Sequence, residues 1–421
     1  MIISQKNMIS GFLTEWLILI TCFGFPIQTT IPILLKIEAA QINLLFRVVY
    51  LLASIFLIWK ASFRRPIMIS KSLLIFLMFM LIYSFRVISD VSFKGKTYLD
   101  TDSFYVYSFF FGVTLIPSIA IFLSTRYINF QRLTKNLFIV LLISNICVIS
   151  NVLFFSPDGL TGLFISRGNV MEEINGETIS KINGITISFI GELLCLVSLT
   201  FLLFNPFNLA ANRKILLRFV LLLGFTNLIL GASRGPLLVF FFLFIFIIFY
   251  YIRYKNYSSI IFFKITTLIT IIVFATRFII GSLINESNFL ILSRLMDFFG
   301  AKQSRGMEDR DYLWASAWRQ FKENPIFGDS FVTDNMNDYA HNLFLDSLMS
   351  TGLVGTILLF ILLFKIIESF WQNTKRLKVR YLPIWIVFFS IFLSSITSGS
   401  LFLSFSFWIM LAVCLKTSRI Y

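Results

Sequence analysis

The sequence predicts an all-α integral membrane protein, and three observations lead to this fold class. Hydrophobic residues make up 57% of the 421-residue chain, whereas charged residues make up 14%. The 52 phenylalanines are more than a water-soluble domain of this length could cover with polar surface. Apolar runs such as residues 237–252 are long and uninterrupted. They fit helices that cross a hydrocarbon core of about 30 Å and exclude the alternating strands of a transmembrane barrel.

Hydropathy predicts about twelve transmembrane helices in a single polytopic domain that covers residues 1–421. No clear small-residue cleavage site follows the first apolar segment, so we expect the first helix to be retained. The four cysteines lie within or beside apolar segments without metal-ligand spacing, which indicates small core residues. The predicted helices span residues 13–34, 42–59, 72–89, 104–123, 137–155, 185–204, 215–231, 235–252, 261–280, 343–364, 382–396 and 400–416.

The loops between these helices alternate in charge. Every second loop is short and basic, and together with the termini these loops hold 21 of the 36 basic residues but only Glu15 and Glu368 among the acids. By the positive-inside rule these loops and both termini face the cytoplasm. The net charge of +15 therefore divides into +19 on the inner side and −4 on the outer side. This asymmetry indicates membrane topology and gives no argument for a nucleic-acid partner.

Two predicted outer loops are long, residues 156–184 and residues 281–341, whereas all inner loops are short. Chemistry built from polar side chains is therefore expected on the outer side, where ATP and nucleotide sugars are absent. We see no internal repeat of the kind that secondary transporters show, which weakens a carrier interpretation.

The second outer loop contains an amphipathic segment, RDYLWASAWRQF. Trp314, Trp318 and Phe321 follow spacings of four and three, so they share one face of a short helix at the outer interface. One interpretation is an aromatic anchor at headgroup depth. The other is a support for Arg310, which lies one turn before Trp314 and is placed to stack on its ring.

The segment that follows turns the chain and then supplies acids. Pro325 breaks the helix and Gly328 forms a turn. Asp334 and Asp338 come next, but they have neither the spacing nor the histidine partners of a metal site. A solvated acidic loop is the favoured interpretation.

Arg234 occupies a tight outer turn between two apolar helices, in the segment GASRGPLLVF. Gly235 and Pro236 open the second helix, and the free N–H groups of a helix start attract anions. An arginine at this depth requires a carboxylate, a phosphate or water beside it. The alternative is a snorkelling interfacial cation, and the sequence leaves both interpretations open.

His341 is the only histidine in the chain, and it lies just before a predicted transmembrane helix. Histidine is the usual general base at physiological pH, and a helix-capping role is the alternative. Three features favour the base: the residue is unique, it lies at the outer membrane face beside Asn342, and Arg234 and Arg310 lie on the same side. A base with two guanidiniums suits displacement of a phosphate leaving group, since arginine binds phosphate oxygens by paired hydrogen bonds.

The segment HNLFLDSLMSTGLVG resembles a motif of the O-antigen polymerase and O-antigen ligase superfamily of bacterial surface polysaccharide assembly. Further similarity lies in SRGP, RDYLW and NPIFGDS, so the resemblance covers about residues 230–356, and the first 200 residues match only in hydropathy. The first segment fits the family pattern H-N-x-x-L-x-x-L-x-x-x-G-x-x-G through His341, Asn342, Leu345, Leu348, Gly352 and Gly355.

The resemblance implies a GT-C-like glycosyltransferase that acts without metal, nucleotide or other cofactor. Its expected partners are membrane lipids and an undecaprenyl-diphosphate-linked oligosaccharide at the outer leaflet of the bacterial inner membrane. Whether a chain-length regulator also binds is left open. The functional histidine of the family maps to His341, and its two functional arginines map to Arg234 and Arg310. Arg305 competes for the latter role, and Asn342 and Trp314 are expected supporting residues.

Within this superfamily the sequence favours an O-antigen polymerase over an O-antigen ligase. A polymerase joins the glycan to another lipid-linked repeat unit, whereas a ligase moves it to lipid A core. The outer net charge of −4 is poorly suited to the polyanionic core.

A lipid-linked oligosaccharide flippase and a structural scaffold in an envelope assembly complex are the alternatives from other classes. A flippase requires charges that line the membrane interior. Nearly all charges here lie in loops, and Arg47, Arg86, Glu192 and Arg277 are the exceptions.

Overall fold

The computed structural model describes most of the chain as apolar helices. The described residues are 5–35, 39–63, 70–155, 170–174, 177–182, 184–231, 233–255, 305–375 and 379–417. Eight helical segments within them are long and apolar enough to cross a membrane, and the count reaches nine if one bent pair forms a single span. This confirms the all-α, multi-pass fold class.

Fourteen α-helices lie in the described residues. They are α1 (Gln5–Phe23), α2 (Phe25–Leu35), α3 (Ala39–Ser62), α4 (Lys71–Phe93), α5 (Ser103–Phe109), α6 (Ile116–Ser124), α7 (Phe130–Phe155), α8 (Gly184–Phe204), α9 (Ala211–Leu230), α10 (Arg234–Tyr254), α11 (Arg305–Glu323), α12 (Leu343–Lys375), α13 (Leu382–Ser398) and α14 (Phe405–Thr417). A π-helical stretch, Phe110–Leu115, joins α5 and α6 into one span.

Eleven of the twelve predicted helices have counterparts in the described residues, with one correction. The helix predicted over residues 13–34 is two helices, α1 and α2, which meet at an angle of 72°. Pro26 explains the break, because it lacks an N–H and its ring clashes with the carbonyl four residues earlier. The ninth prediction, residues 261–280, lies outside the described residues. The last helix is shorter than predicted, since α14 begins at Phe405 and has 13 residues.

The first long loop contains the one pair of strands in the described residues. Strand β1 (Val170–Ile174) pairs antiparallel with β2 (Glu177–Ile182). The sequence predicts a loop over residues 156–184, because the polar and charged residues of this segment obscure the alternation that predicts strands.

Helix α8 lies at the centre of the bundle, and 78% of the residues in its apolar stretch are buried. Its close approach to α9 depends on glycines. A Cβ on Gly191 would lie 2.4 Å from the backbone nitrogen of Leu228, and one on Gly224 would lie 3.0 Å from that of Cys195. Small residues at such a crossing allow the backbones to pack closely, which is a main source of helix association in membranes.

Buried polar side chains join the central helices. Asn227 on α9 donates a 2.7 Å hydrogen bond to the side-chain oxygen of Asn145 on α7, and Ser390 on α13 donates one of 2.6 Å to the Glu192 carboxyl on α8. All four residues are fully buried. Because hydrocarbon offers no alternative partner, such pairs favour a single register between the helices.

Loops that the sequence places on the same side of the membrane meet at the same end of the bundle. At one end, Arg132 at the start of α7 forms a bidentate pair with Glu15 on α1, at 2.5 and 2.9 Å. At the other end, the segment 324–342 contacts residues 86–100 and the first turns of α12. We call this second end the His341 end.

The segment 324–342 is fixed to α12 by backbone contacts that require glycine. Gly352 interrupts α12 with φ 62° and ψ −160°, a conformation open essentially to glycine alone. A Cβ at Gly352 would lie 2.4 Å from the carbonyl oxygen of Ile326. The kink leaves the N–H of Leu353 free to donate to Pro325 at 2.9 Å, and the carbonyl of Met349 accepts the N–H of Asp329 at 2.8 Å.

Arg86 fixes the same segment to α4. Its guanidinium donates to the carbonyls of Asp329 at 2.6 Å, Gly328 at 2.7 Å, Phe327 at 3.0 Å and Ser350 at 3.1 Å. An arginine within an apolar span is costly unless its donors are satisfied. Here four backbone oxygens satisfy them, so the charge of Arg86 has a structural use.

We expect Arg86→Gln to lower the free energy of unfolding by roughly 2–4 kcal/mol, because hydrogen bonds from a charged donor to buried carbonyls are lost. Denaturant titration of the purified protein in detergent measures this loss. Arg319→Gln is the matched control. Its guanidinium is 52% exposed and lies 3.9 Å from Asp334, so its loss is expected to cost less than about 1 kcal/mol. Equal effects of the two substitutions would contradict the anchoring role of Arg86.

Candidate functional site

Asn342, and not His341, caps the helix that follows. The Asn342 side-chain oxygen accepts the N–H groups of Phe344 and Leu345, both at 3.0 Å, at the start of α12. Asparagine is among the preferred helix N-caps, because it satisfies backbone donors that the first turn leaves unpaired. The capping interpretation therefore belongs to Asn342, and the imidazole of His341 is free for another use.

His341 has a left-handed backbone, with φ 50°. This conformation is uncommon for a residue with a Cβ and costs about 1–3 kcal/mol, so it persists only where neighbouring contacts hold it. Contacts hold the backbone on both sides of His341. Asn342 after it caps α12, and the turn at Thr333–Asp338 precedes it. Such strain is typical of functional positions.

The imidazole of His341 lies between a carboxylate and an aromatic ring. Its Nε2 lies 3.4 Å from the Asp338 carboxylate, and the Tyr339 ring centroid lies 4.2 Å from its own. The side chain is 22% exposed. Within the described part of the chain, Nδ1 is buried and has no hydrogen-bond partner. An unpaired buried nitrogen costs stability in a purely structural role.

Asp338 is held in place by its own neighbours. Its backbone carbonyl accepts the N–H of Thr333 at 2.8 Å and the Thr333 hydroxyl at 2.9 Å, and its Oδ1 accepts the N–H of Tyr339 at 2.8 Å. The other carboxylate oxygen faces His341. The prediction of a solvated loop acid is thus wrong for Asp338, whereas Asp334 forms an ion pair with Lys96. The contact between Asp338 and His341 could not be predicted from their spacing, because the chain turns back between these two positions.

Arg310 points from α11 to the end of α13. Its guanidinium donates to the Thr397 carbonyl at 3.2 Å and to the Ser398 hydroxyl at 3.4 Å. In the described residues it does not stack on Trp314, whose side chain is 39% exposed on the same helix. The expected arginine–tryptophan stack is therefore absent from the described contacts. Trp318 instead packs against Phe321, with ring centroids 5.2 Å apart.

The turn that carries Arg234 approaches the same end of α13. Arg234 is the first residue of α10 and is half-buried. A Cβ added to Gly235, its neighbour, would lie 3.9 Å from the Thr397 hydroxyl oxygen. Thr397 therefore lies between the Arg234 turn and Arg310, although the two arginines are 76 positions apart in the chain.

Arg310 also acts on the ring beside His341. Burial raises the pKa of Tyr339, the negative groups around it add to this shift, and the positive charge of Arg310 opposes it. The guanidinium therefore lies within electrostatic range of Tyr339, which packs on His341. The backbone of Arg305 opens α11, whereas its side chain lies outside the described part of the chain.

Asp346 is a further polar residue of this region that sequence analysis passed over. It is fully buried in the first turn of α12, and its carboxylate accepts the N–H of Leu401 at 2.6 Å. This contact joins the helix that follows His341 to the turn that follows Ser398. The sequence signal was an aspartate in an otherwise apolar segment, five residues after the histidine.

The central part of the chain, residues 219–360, matches a family model described as O-antigen ligase. The central part of the chain is therefore similar to a domain of that family. The domain includes Arg234, Arg310 and His341, and it confirms the superfamily that the sequence resembles. The domain indicates an O-antigen ligase-like or polymerase-like function in lipopolysaccharide biosynthesis. A search of curated proteins finds no match.

The single histidine allows a direct test of the Asp338 contact. Diethyl pyrocarbonate modifies imidazole nitrogens, and His341 is the only target of this kind in the chain. We expect Asp338→Asn to raise the modification rate about fivefold, the ratio that corresponds to loss of a contact of about 1 kcal/mol. Mass spectrometry of protein without a histidine tag measures the rate. Asp334→Asn is the control, and an equal rise in both variants would contradict the pairing.

Proposed function

We propose that this protein is an O-antigen polymerase, which joins undecaprenyl-diphosphate-linked repeat units by inverting, metal-independent glycosyl transfer. The observation that carries the proposal is the position of His341. Its ring is held by Asp338 and Tyr339, Arg310 acts on Tyr339, and all four residues lie in the family domain. The fold is proposed to be of the GT-C type, as expected of a membrane glycosyltransferase that uses a lipid-linked donor.

In the proposed reaction, an acceptor hydroxyl attacks the anomeric carbon of the donor sugar. A new C–O bond forms as the bond from that carbon to the diphosphate oxygen breaks, and its electron pair leaves with the diphosphate. His341 takes the hydroxyl proton, and the nearby Asp338 carboxylate stabilises the imidazolium that results. Because the attack comes from the face opposite the leaving group, the anomeric centre inverts.

Arg234 and Arg310 are proposed to neutralise the departing diphosphate. A guanidinium binds phosphate oxygens through paired N–H donors, and its charge is most effective where water is excluded. Both arginines are supported by their approach to Thr397. Arg305 is the alternative to Arg310, and Trp314 is proposed to support the donor from the same helix.

We place the protein in the bacterial inner membrane with both termini in the cytoplasm. The supporting observation is the charge of the loops, +19 on the proposed inner side and −4 on the outer side. A single polytopic domain then carries its chemistry at the outer face, in the loop 281–341. A polysaccharide chain-length regulator is a further proposed partner, since a polymerase makes products of controlled length.

O-antigen ligase is the second candidate, and the family model bears its name while covering both functions. The ligase would transfer the glycan to lipid A core, with the same base and the same leaving group. The negative outer charge favours the polymerase, because lipid A core is itself a polyanion. The two functions differ only in the acceptor.

His341→Ala is expected to lower the rate of polymer formation by a factor of about 10² to 10⁴, the usual contribution of a positioned base. The assay uses purified protein and a lipid-linked repeat unit, with product length read on a gel. Arg126→Gln, at the opposite end of the bundle, is the control and should retain wild-type activity. Wild-type product length and rate from His341→Ala would end the proposal.

A deletion strain separates polymerase from ligase. We expect lipopolysaccharide with one repeat unit on its core, because ligation continues when polymerisation is lost. Gel electrophoresis of extracted lipopolysaccharide gives the result, and restoration of long chains by the wild-type gene is the control. Bare core with accumulated lipid-linked polymer would identify a ligase instead.

A further inference from the structure

A second arginine site lies at the His341 end, apart from Arg234 and Arg310. Arg47 on α3 places its guanidinium carbon 4.6 Å from the Tyr105 ring centroid and 5.3 Å from that of Phe109. Its Nη1 donates to the Ser108 hydroxyl at 3.2 Å. The two rings lie one helical turn apart on α5, so they hold the guanidinium from one side. Among the described residues its other donors have no partner.

The surroundings of Arg47 fit a phosphate on a lipid. A guanidinium within an apolar span requires a counter-charge or water, and no carboxylate among the described residues forms an ion pair with Arg47. Its neighbours on α3 are apolar and exposed, with Leu44 at 44% and Val48 at 43%. An apolar surface beside an arginine with free donors matches the acyl chain and the phosphate of an anionic lipid.

A continuous series of aromatic rings connects this site to His341. Phe109 lies 5.3 Å from Phe402, Phe402 lies 6.0 Å from Tyr98, and Tyr98 lies 5.8 Å from Tyr339, measured between ring centroids. Tyr339 in turn lies 4.2 Å from the imidazole of His341. We call Phe109, Phe402, Tyr98 and Tyr339 the ring series.

The tyrosines of this series carry neutral hydroxyl groups. Burial raises the pKa of Tyr98 to about 12, with further contributions from Asp338 and Tyr105. Burial likewise raises the pKa of Tyr339. Both phenols therefore remain hydrogen-bond donors at physiological pH. Half-buried aromatic faces with donor hydroxyls suit the mixed apolar and polar surface of a sugar ring.

We propose that Arg47, with Tyr105, Phe109 and Ser108, binds the phosphate of a polyprenyl-linked acceptor, whose glycan extends past the half-buried rings of Tyr98 and Tyr339 to His341. Phe402 is buried and supports these rings from within. This inference rests on the proposed glycosyl transfer and names the class of its acceptor. A base that serves two lipid-linked glycans requires two phosphate sites. Arg310, on α11 and in contact with the end of α13, would bind the diphosphate of the donor. Arg47, on α3 beside α5, would bind the phosphate of the acceptor.

Counting bound lipids tests the site directly. The full-length protein in nanodiscs of zwitterionic lipid is titrated with a polyprenyl monophosphate, and native mass spectrometry counts the molecules bound. We expect two per chain for the wild type and one for Arg47→Gln. Two molecules on Arg47→Gln, at unchanged affinity, would overturn the proposal.

Arg126→Gln is the matched control for this titration. Arg126 is more exposed than Arg47, but it likewise packs on a tyrosine ring, 4.8 Å from the Tyr127 centroid, and donates one hydrogen bond. It lies at the opposite end of the bundle, and its variant should bind two molecules. Loss of one molecule from this variant as well would show a general effect of charge and would overturn the assignment to Arg47.

A competing lipid distinguishes the two sources of phosphate. Phosphatidylglycerol in excess should leave the Arg47-dependent molecule in place, because the site is proposed to select the polyprenyl-linked acceptor. Displacement by phosphatidylglycerol would identify a general headgroup site and overturn the acceptor assignment. In the polymer assay, Arg47→Gln should raise the KM for the acceptor about tenfold with a smaller change in kcat.

Two further variants separate folding and the proposed function from this result. If Arg47→Gln does not fold, Tyr105→Leu is the substitute, because it removes the ring beneath the guanidinium. It should lower the affinity for the second lipid molecule about tenfold. Unchanged binding would overturn the proposal. His341→Ala should bind two molecules, because it leaves both phosphate sites intact. An active His341→Ala would contradict the proposed function, and the lipid count would still decide the Arg47 site.

Discussion

The candidate site depends on the contacts that fix the segment 324–342 to α4 and α12. Backbone groups that are shielded from water must find a partner within the protein. Arg86 provides four donors for the carbonyls of this segment and of α12. The kink at Gly352 frees N–H groups that pair with Pro325 and Ile326. These contacts hold the segment at several points, and His341 at its end has a defined position.

The same contacts explain how the proposed catalytic geometry can lie on a loop. The left-handed backbone of His341 is tolerated because Asn342 caps α12 after it and Asp338 is held by Thr333 before it. The strain is local, and it is offset by the contacts that hold the segment. The imidazole is thereby turned toward Asp338 and Tyr339 and is directed away from a helix-capping role.

In the described part of the chain, most charged side chains lie at the two ends of the bundle. Arg132 and Glu15 pair at one end, and Arg86 and Lys94 hold the loop at the other. Arg310 and Arg47 are different, since they contact neutral groups in the described residues. Guanidiniums without an acidic partner at the same end as the histidine are what a reaction of lipid phosphates requires. This distribution connects the structure to the proposed polymerase.

Sequence alone determined the multi-pass helical class, eleven predicted helices that have counterparts in the described residues, and the resemblance to the family, because hydropathy and short motifs are local properties of the chain. It also identified His341, Asn342, Arg234 and Arg310 as residues of interest, but it could not show their neighbours. Only the tertiary structure decided that Asp338 faces His341, that Arg310 turns to Thr397 instead of Trp314, and that Arg86 serves the loop. The break at Gly24–Pro26 and the hairpin of β1 and β2 were also missed. These features depend on a turn, a kink or a contact between distant segments, and periodicity carries no information about such contacts.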